Sequence, residues 1–373
     1  MKEAVVIHPR LTVYGGAEIL ALHVVKSLQD RDFLVSLVCD NFNPEEVERN
    51  FGMGKVLRAC RPIIVPRFKP LLPRLLTAQK MRYAHNLMKM LKTLRPDVAF
   101  STQSALYFIP DIPTYHILYD LVDLLEILPG GRLRGPLASL WKKPYYDFLK
   151  RYLNPDFTAN RVFIPLSGAL EKDVRKLGYS HTGVVFPPCD MIFKPRQKKK
   201  QVCVVTRIAP QKNVEDFIRV ASRLVDYKFV LVGTHSDVNS AYTHRVLSAA
   251  SRNVEFIDAR IRDRPELVEE SKVYLYTSLE PGVGIALGQA FGAGCIPVTP
   301  AWGGGAEMVK ATGVGFTFKT LEEAERVTLE ALECENERYK PDYIASKAVI
   351  FSSETFEKQI ARIAIEKPAM SLS

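Results

Sequence analysis

Short runs of β-branched and apolar residues alternate with helical patterns along nearly the whole chain, and the scheme is played twice. In the first half the expected strands are Ala4–Ile7, Leu34–Cys39, Val98–Ser101, Thr114–Tyr119, Val162–Pro165 and Val184–Phe186. In the second they are Val202–Thr206, Phe229–Val232, Val254–Ile257, Val273–Tyr276, Ile296–Thr299 and Gly315–Phe318. Helical spacing fills the gaps, for example at Ala17–Leu28, Val214–Leu224 and Leu287–Ala293, and Thr320 with Glu323 reads as a capping box opening a helix to about Glu335. Such alternation predicts an α/β protein built on parallel sheets. At 373 residues the chain exceeds the ~250–300 at which one core stops growing, so two doubly wound domains are expected. The charged, Pro-containing stretch Lys194–Lys200 reads as the linker, which divides the chain into residues 1–190 and 191–351.

Charge separates the two halves further. Of 51 Lys+Arg, eleven lie between Lys55 and Arg95, where there is no Asp or Glu; the remaining 40 nearly balance the 41 acids. Four prolines from Pro62 to Pro73 forbid a helix over Arg61–Arg74. Beyond them, Leu76, Tyr83, Ala84, Leu87, Leu91 and Leu94 recur at helical spacing, with Arg82, Lys89 and Lys92 mostly off that stripe. Arg61, Arg67, Lys69, Arg74, Arg82, Lys89 and Lys92 are therefore candidates for a surface that docks on anionic lipid or on the acceptor. The plain alternative is an amphipathic helix with a solvated basic face. A second basic and aromatic stretch surrounds Trp141, Tyr145, Tyr146 and Phe148. No helix-turn-helix, zinc-finger or RNA-recognition pattern accompanies these patches, so no nucleic-acid partner is expected.

No uncharged apolar run reaches the ~20 residues of a membrane span, and the opening MKEAVVIHPR lacks the apolar block of a secretory signal. The six cysteines are widely spaced without a CxxC, which suggests neither a disulfide framework nor a zinc site. A cytoplasmic protein is expected, peripheral on the cytosolic membrane face if the basic surface docks on lipid.

In doubly wound sheets ligands bind beyond the carboxyl ends of the strands. After the first strand come Gly15 and Gly16, which would let backbone N–H groups approach an anion at a helix start, or serve only a tight turn. After the first strand of the second half come Arg207 and Lys212, five residues apart; two such cations could clamp a diphosphate, or lie on an ordinary surface turn. Later βα turns carry Glu280, Gly282, Gly284 and Gln289, then a glycine run before Glu307, and read as a cleft of backbone donors for a nucleotide sugar.

Taken together, IHPRLTVYGGAE, VVFPPCD, VVTRIAPQKN, LVGTH, NVEFI, SLEPGVGIALGQAFGAGCIPVT and GGGAEMV occur in the order found in retaining glycosyltransferases of family 4, and the chain resembles that family over essentially its whole length. The resemblance implies a GT-B fold of two facing Rossmann-like domains, with the terminal residues 352–373, which follow the start of FSSETFEKQIARIAI at Phe351, returning to the first. It implies that Arg207 and Lys212 hold the donor diphosphate and that Gly15 and Gly16 shape its loop and the acceptor side. Glu307 would contact nucleotide or phosphate, and His116 would stand near the transferred sugar. No cofactor or metal is implied, only a nucleotide diphosphate sugar as co-substrate; the one DxD, Asp30-Arg31-Asp32, reads as a turn entering a strand. The opening and GVGIALGQAFGAGCIPV look closest to enzymes that extend lipid-linked oligosaccharides, which implies a polyprenyl- or dolichyl-linked acceptor. One departure stands out. The family's Glu-x7-Glu motif aligns Pro281 with the first glutamate, Glu280 being displaced by one, and Gln289 with the second. Three activities stay open on the residues: hexosyl transfer to a lipid-linked acceptor, transfer to a soluble one, or a catalytically silent nucleotide-sugar-binding subunit.

Overall fold

A computed structural model describes residues 2–11, 15–69, 76–119, 161–190, 193–233, 240–259, 264–280 and 282–366. The chain divides into two compact units, Met1–Val185 with Phe356–Ser373, and Phe186–Thr355. The first holds strands β1 Lys2–Ile7, β2 Phe33–Cys39, β3 Arg61–Ile64, β4 Val98–Ser101, β5 Thr114–Leu118 and β6 Arg161–Pro165, all parallel, in the order β3-β2-β1-β4-β5-β6. The second holds β7 Lys199–Val205, β8 Lys228–Val232, β9 Val254–Ile257, β10 Ser271–Leu275, β11 Ile296–Pro300 and β12 Phe316–Phe318, in the order β12-β11-β10-β7-β8-β9. Each unit thus has the doubly wound Rossmann order, whose direction reverses between β1 and β4 in one and between β7 and β10 in the other.

These strands form where the sequence is apolar on consecutive positions because both sheet faces are covered. Val98–Ser101 and Phe229–Val232 are wholly buried. Against the first sheet, the helix Leu76–Leu91 buries Ala84, Leu87 and Leu91, spaced by three and four, while Arg82, Lys89 and Lys92 stay exposed. Burying each leucine contributes about 1.5–3 kcal/mol. In the second unit Thr320 caps the helix Leu321–Glu333 by accepting the Glu323 N–H at 3.2 Å, and the Glu323 carboxylate accepts from the Lys319 N–H at 2.7 Å. Residues from Phe356 onward belong to the first unit. There the Glu357 carboxylate meets His23 Nδ1 and Lys26 Nζ, each at 2.7 Å, on the helix Gly16–Gln29.

Local differences from expectation have physical causes. Arg61–Ile64, read as part of an irregular proline-rich segment, is the edge strand β3, paired with Ser36–Cys39 of β2. An edge strand tolerates Pro62 because the missing N–H need not enter the ladder. Val184–Phe186, expected as a strand, runs beside β6 with a single bond from Val185 N–H to the Pro165 carbonyl at 3.0 Å. Gly183 at φ +83° bends it, and Pro187 and Pro188 have no N–H to extend a ladder. The expected linker Lys194–Lys200 is shortened from its far end, since β7 begins at Lys199. Lys198 Nζ there is bound to the carbonyls of Glu269 and Ala293 at 2.8 and 2.7 Å.

Candidate active site

In the second unit the turns after β7 and β10, which flank the reversal of strand order, are tied together. The Leu279 N–H donates to the Gln211 carbonyl at 3.0 Å, and the Thr277 hydroxyl to the Lys212 carbonyl at 3.3 Å. The turn Pro210–Lys212 ends at Asn213, a non-glycine in the left-handed region at φ +49°, whose side-chain amide is held by Asp216 at 2.7 Å. This carries Lys212 onto Glu280: the ammonium and carboxylate form an ion pair. Arg207 is exposed at the carboxyl end of β7, and among the described residues its guanidinium makes no hydrogen bond or ion pair.

Two helices begin beside this pair. Ile285–Gly292 starts after Gly284, and Gly303–Thr312 starts after Trp302. A Cβ on Gly304 would lie 2.6 Å from the Val283 backbone nitrogen, so the start of the second helix presses on the turn that leads into the first. The Tyr276 ring is wedged between Gly284 and Gly305, 3.0 and 3.2 Å from the Cβ each lacks. At Gly304 only glycine permits this approach, which brings together two helix starts, with their N–H groups and positive dipole ends, at the turn that follows Glu280. Gln289 and Glu307, each the fifth residue of its helix, are half-buried, as is Gly282. The arrangement is chemically suited to a diphosphate: cations and backbone donors, with the carboxylates of Glu280 and Glu307, within a single unit.

The first unit's own reversal point lies after β1 and β4. His8, the first residue beyond β1, is buried and bound through Nδ1 to the Thr102 hydroxyl at 2.8 Å. Burial lowers its pKa to about 4. Gly15 and Gly16 open the helix Gly16–Gln29, but the Gly15 N–H is taken by the buried Glu18 carboxylate at 2.9 Å, so that helix start is capped from within. His116 lies inside β5, between Ser101 and Phe163 of the neighbouring strands, with no solvent exposure. Its ring stacks on Phe163 at 5.2 Å, and burial, with the charge of Arg161, lowers its pKa to about 3. The histidine at the carboxyl edge of this sheet is therefore His8, which sequence reasoning passed over; its signal was its place directly after the first strand, within IHP.

These two imidazoles predict acid lability. Their ordinary pKa is 6.5 and the folded values are lower, so the unfolded chain binds more protons. Stability is full above about pH 6.5 and falls as the pH drops towards about 4 and then 3. Urea midpoints measured from pH 7.5 to 4 should decline through that window, and His116→Phe should flatten the slope. An identical slope in the variant would place the lability elsewhere.

Among the basic candidates, Arg61, Lys69, Arg82, Lys89 and Lys92 are exposed, Arg61 facing Glu3 at 3.7 Å. Arg67 is bonded through Nε to the buried Asp40 at 2.7 Å. Arg74 and the stretch around Trp141 lie outside the described residues. No described helix is long and apolar enough to cross a membrane, and no group of His, Cys, Asp or Glu among the described residues could hold a metal. Asp30 ends the helix Gly16–Gln29, and Asp32 at φ +60° makes the turn into β2.

The sequence profile of Glycosyltransferase Family 4 matches residues 14–190, and that of Glycosyl transferases group 1 matches residues 191–348. The chain belongs to the family 4 glycosyltransferases with the GT-B fold. No curated protein sequence matches it. Solved structures share the fold at low identity. WaaG, a glycosyltransferase involved in lipopolysaccharide biosynthesis, is 15% identical with a TM-score of 0.66, over 97% of this chain and 99% of its own. HepE of Anabaena in complex with UDP-glucose is 18% identical with a TM-score of 0.62, over 97% and 99%. Sucrose-phosphate synthase from Thermosynechococcus elongatus is 12% identical with a TM-score of 0.71, over 98% and 99%. In this glycosyltransferase the second unit, matched by the group 1 profile, is the one that carries Arg207, Lys212, Glu280, Gln289 and Glu307.

Proposed function

We propose that this glycosyltransferase moves a hexose from a nucleotide diphosphate sugar, with retention of configuration, to a lipid-linked acceptor at an anionic membrane surface. The observation that carries the donor half is the Lys212–Glu280 pair, set beside Arg207 and two helix N-termini. Lys212 and Glu280 are only partly shielded, a setting in which an ion pair is worth roughly 0–1 kcal/mol. An incoming diphosphate, with more charge and more acceptor oxygens, would displace the carboxylate from the ammonium. Glu280 would then be free to accept hydrogen bonds from donor hydroxyls, and the Gln289 amide would bond ribose hydroxyls without charge assistance. In the transfer step the bond from the anomeric carbon to the diphosphate oxygen breaks, and the acceptor oxygen bonds that carbon on the same face. The acceptor's proton passes to the leaving phosphate, whose growing charge Arg207 and Lys212 stabilise.

The acceptor half rests on the acid-free segment. It exposes Lys69, Arg82, Lys89 and Lys92 together with two large apolar side chains, Ile64 and Met90. Such a mixture suits an anionic interface, at ~1 kcal/mol for each basic residue near it. WaaG, which acts in lipopolysaccharide biosynthesis, and HepE, which was crystallised with UDP-glucose, support these two halves by likeness of fold.

The test is to incubate the protein with labelled UDP- and GDP-sugars, with and without a polyprenyl-phosphate lipid extract. Label should enter the organic phase only when lipid is present. A new water-soluble glycoside would instead name a soluble acceptor, and donor binding with no transfer at all would leave a silent subunit. For the surface, replacing Lys69, Arg82 and Lys89 by Glu should weaken co-sedimentation with anionic vesicles about a hundredfold or more. Unchanged co-sedimentation would make the segment an ordinary solvated face.

A further inference from the structure

Arg207 is held by nothing at its charged end: among the described residues its guanidinium makes no hydrogen bond or ion pair. The point from which it reaches out is therefore set by backbone alone, by the peptide unit that joins Thr206 to Arg207 just past β7. That unit runs beside the end of β8. The Thr206 N–H donates to the Val232 carbonyl at 2.9 Å, continuing the ladder one step beyond the Val205–Val232 pair.

The residue after Val232 is Gly233. A Cβ on it would stand 1.9 Å from the Thr206 carbonyl oxygen and 3.0 Å from the carbonyl carbon, a deeper overlap than the 2.6 Å at Gly304. Gly233 does not lie in the left-handed region, so conformational freedom is not why a glycine stands here; space is. Nor can Gly233 retreat. Its N–H donates to the Ile257 carbonyl of β9 at 3.1 Å, and β9 lies on the opposite side of β8 from β7. Any side chain at this position must break that bond or push the Thr206–Arg207 peptide away. The far end of the same turn is fixed separately, since the Gln211 and Lys212 carbonyls accept from Leu279 and Thr277. The displacement would therefore fall on Arg207 more than on Lys212.

We propose that Gly233 is a positioning residue for Arg207. By lacking a side chain it lets the Thr206 carbonyl close onto the end of β8, and this contact sets where the guanidinium starts towards the diphosphate. The assignment rests on the diphosphate role given to Arg207 above and deepens it, because it names what places a cation that has no side-chain partner of its own. Geometry matters here because misplacing a reacting or charge-stabilising group by about 1 Å can cost roughly 10²-fold in rate.

The test is a double-mutant cycle on steady-state transfer of labelled sugar, with Gly233→Ala, Arg207→Ala and the two combined. Gly233→Ala alone should lower kcat/KM about tenfold or more, whereas in the Arg207→Ala background it should cost about threefold or less. Thr206→Gly, which adds no atom and loosens the same peptide unit, serves where the alanine variant fails to fold. It should lower kcat/KM about three- to fivefold when Arg207 is present and leave the Arg207→Ala protein unchanged. Equal losses with and without Arg207 would make Gly233 a structural glycine only and overturn the proposal. A second readout needs no ligand. Amide hydrogen exchange over residues 206–213 should quicken in each folded variant, while β10 and β11 stay as protected as in wild type. Unchanged exchange over 206–213 would also overturn the proposal. The diphosphate reading fails in a different way: wild-type turnover in Arg207→Ala would sink it, while exchange over 206–213 would still report whether Gly233 sets the turn.

Discussion

Lys212→Ala is expected to lower kcat/KM for sugar transfer about 10²–10³-fold while the protein keeps its fold. The backbone that carries the ammonium is held by the Leu279 N–H on the Gln211 carbonyl and the Thr277 hydroxyl on the Lys212 carbonyl, so the turn is in place before any donor arrives. Preorganised charge of this kind stabilises a leaving diphosphate without reorganisation in the reaction step. Removing it should act on the chemical step as well as on donor affinity, because phosphate charge is greatest as the glycosidic bond breaks. Lys212 pairs only with a partly exposed Glu280, so its loss should cost no more than ~1 kcal/mol of stability. The measurement is steady-state transfer of labelled sugar, with thermal unfolding followed by circular dichroism as the control. Near-normal turnover would reject the diphosphate role of this cation. A similar drop is expected for Arg207→Ala, whose exposed guanidinium supports nothing else among the described residues.

Gly304→Ala should strongly destabilise the second unit. The new methyl would stand 2.6 Å from the Val283 nitrogen and 2.7 Å from its Cα, and backbone cannot rotate aside as a side chain can. Overpacking of this kind costs about 1–3 kcal/mol, or a melting temperature lower by roughly 2–12 °C in a unit of this size. Relief of the clash would push the helix Gly303–Thr312 away from the turn before Ile285–Gly292, separating the two N-termini, so UDP affinity should fall as well. Gly313→Asn provides the contrast. That glycine ends the same helix at φ +66° with nothing near its missing Cβ, and asparagine tolerates this region, so the change should be close to neutral. Equal melting curves for both variants would mean that the close approach at Gly304 is not a structural requirement.

Both results depend on features of unequal visibility in the sequence. Strands such as Val98–Ser101 and Val254–Ile257 were readable to the residue, because each is a short β-branched run set between breaking signals. The cap at Thr320 was equally visible, since donor and acceptor are three residues apart. Arg61–Ile64 was hidden, for proline and arginine argue against a strand until β2 offers an edge that needs no N–H from Pro62. His116 and His8 show the same limit at the site. Each follows or occupies a predicted strand, but which of them reaches the carboxyl edge depends on how far each strand runs, and β5 continues two residues past His116.

The family, the doubly wound class and the residue types for holding a diphosphate were thus determined by sequence alone, because they rest on local periodicity and on motifs whose order along the chain is itself the signal. Tertiary structure decided which of those residues meet. Lys212 and Glu280 are 68 positions apart and pair because parallel order sets β7 beside β10. Arg10, Arg67 and Lys80 come from three separate segments and share one cavity because β1 and β3 end, and the helix Leu76–Leu91 begins, at the same edge of the sheet. Spacing along a chain carries no record of such meetings, since they are enforced by burial of the sheet faces and not by any interaction between neighbours in sequence.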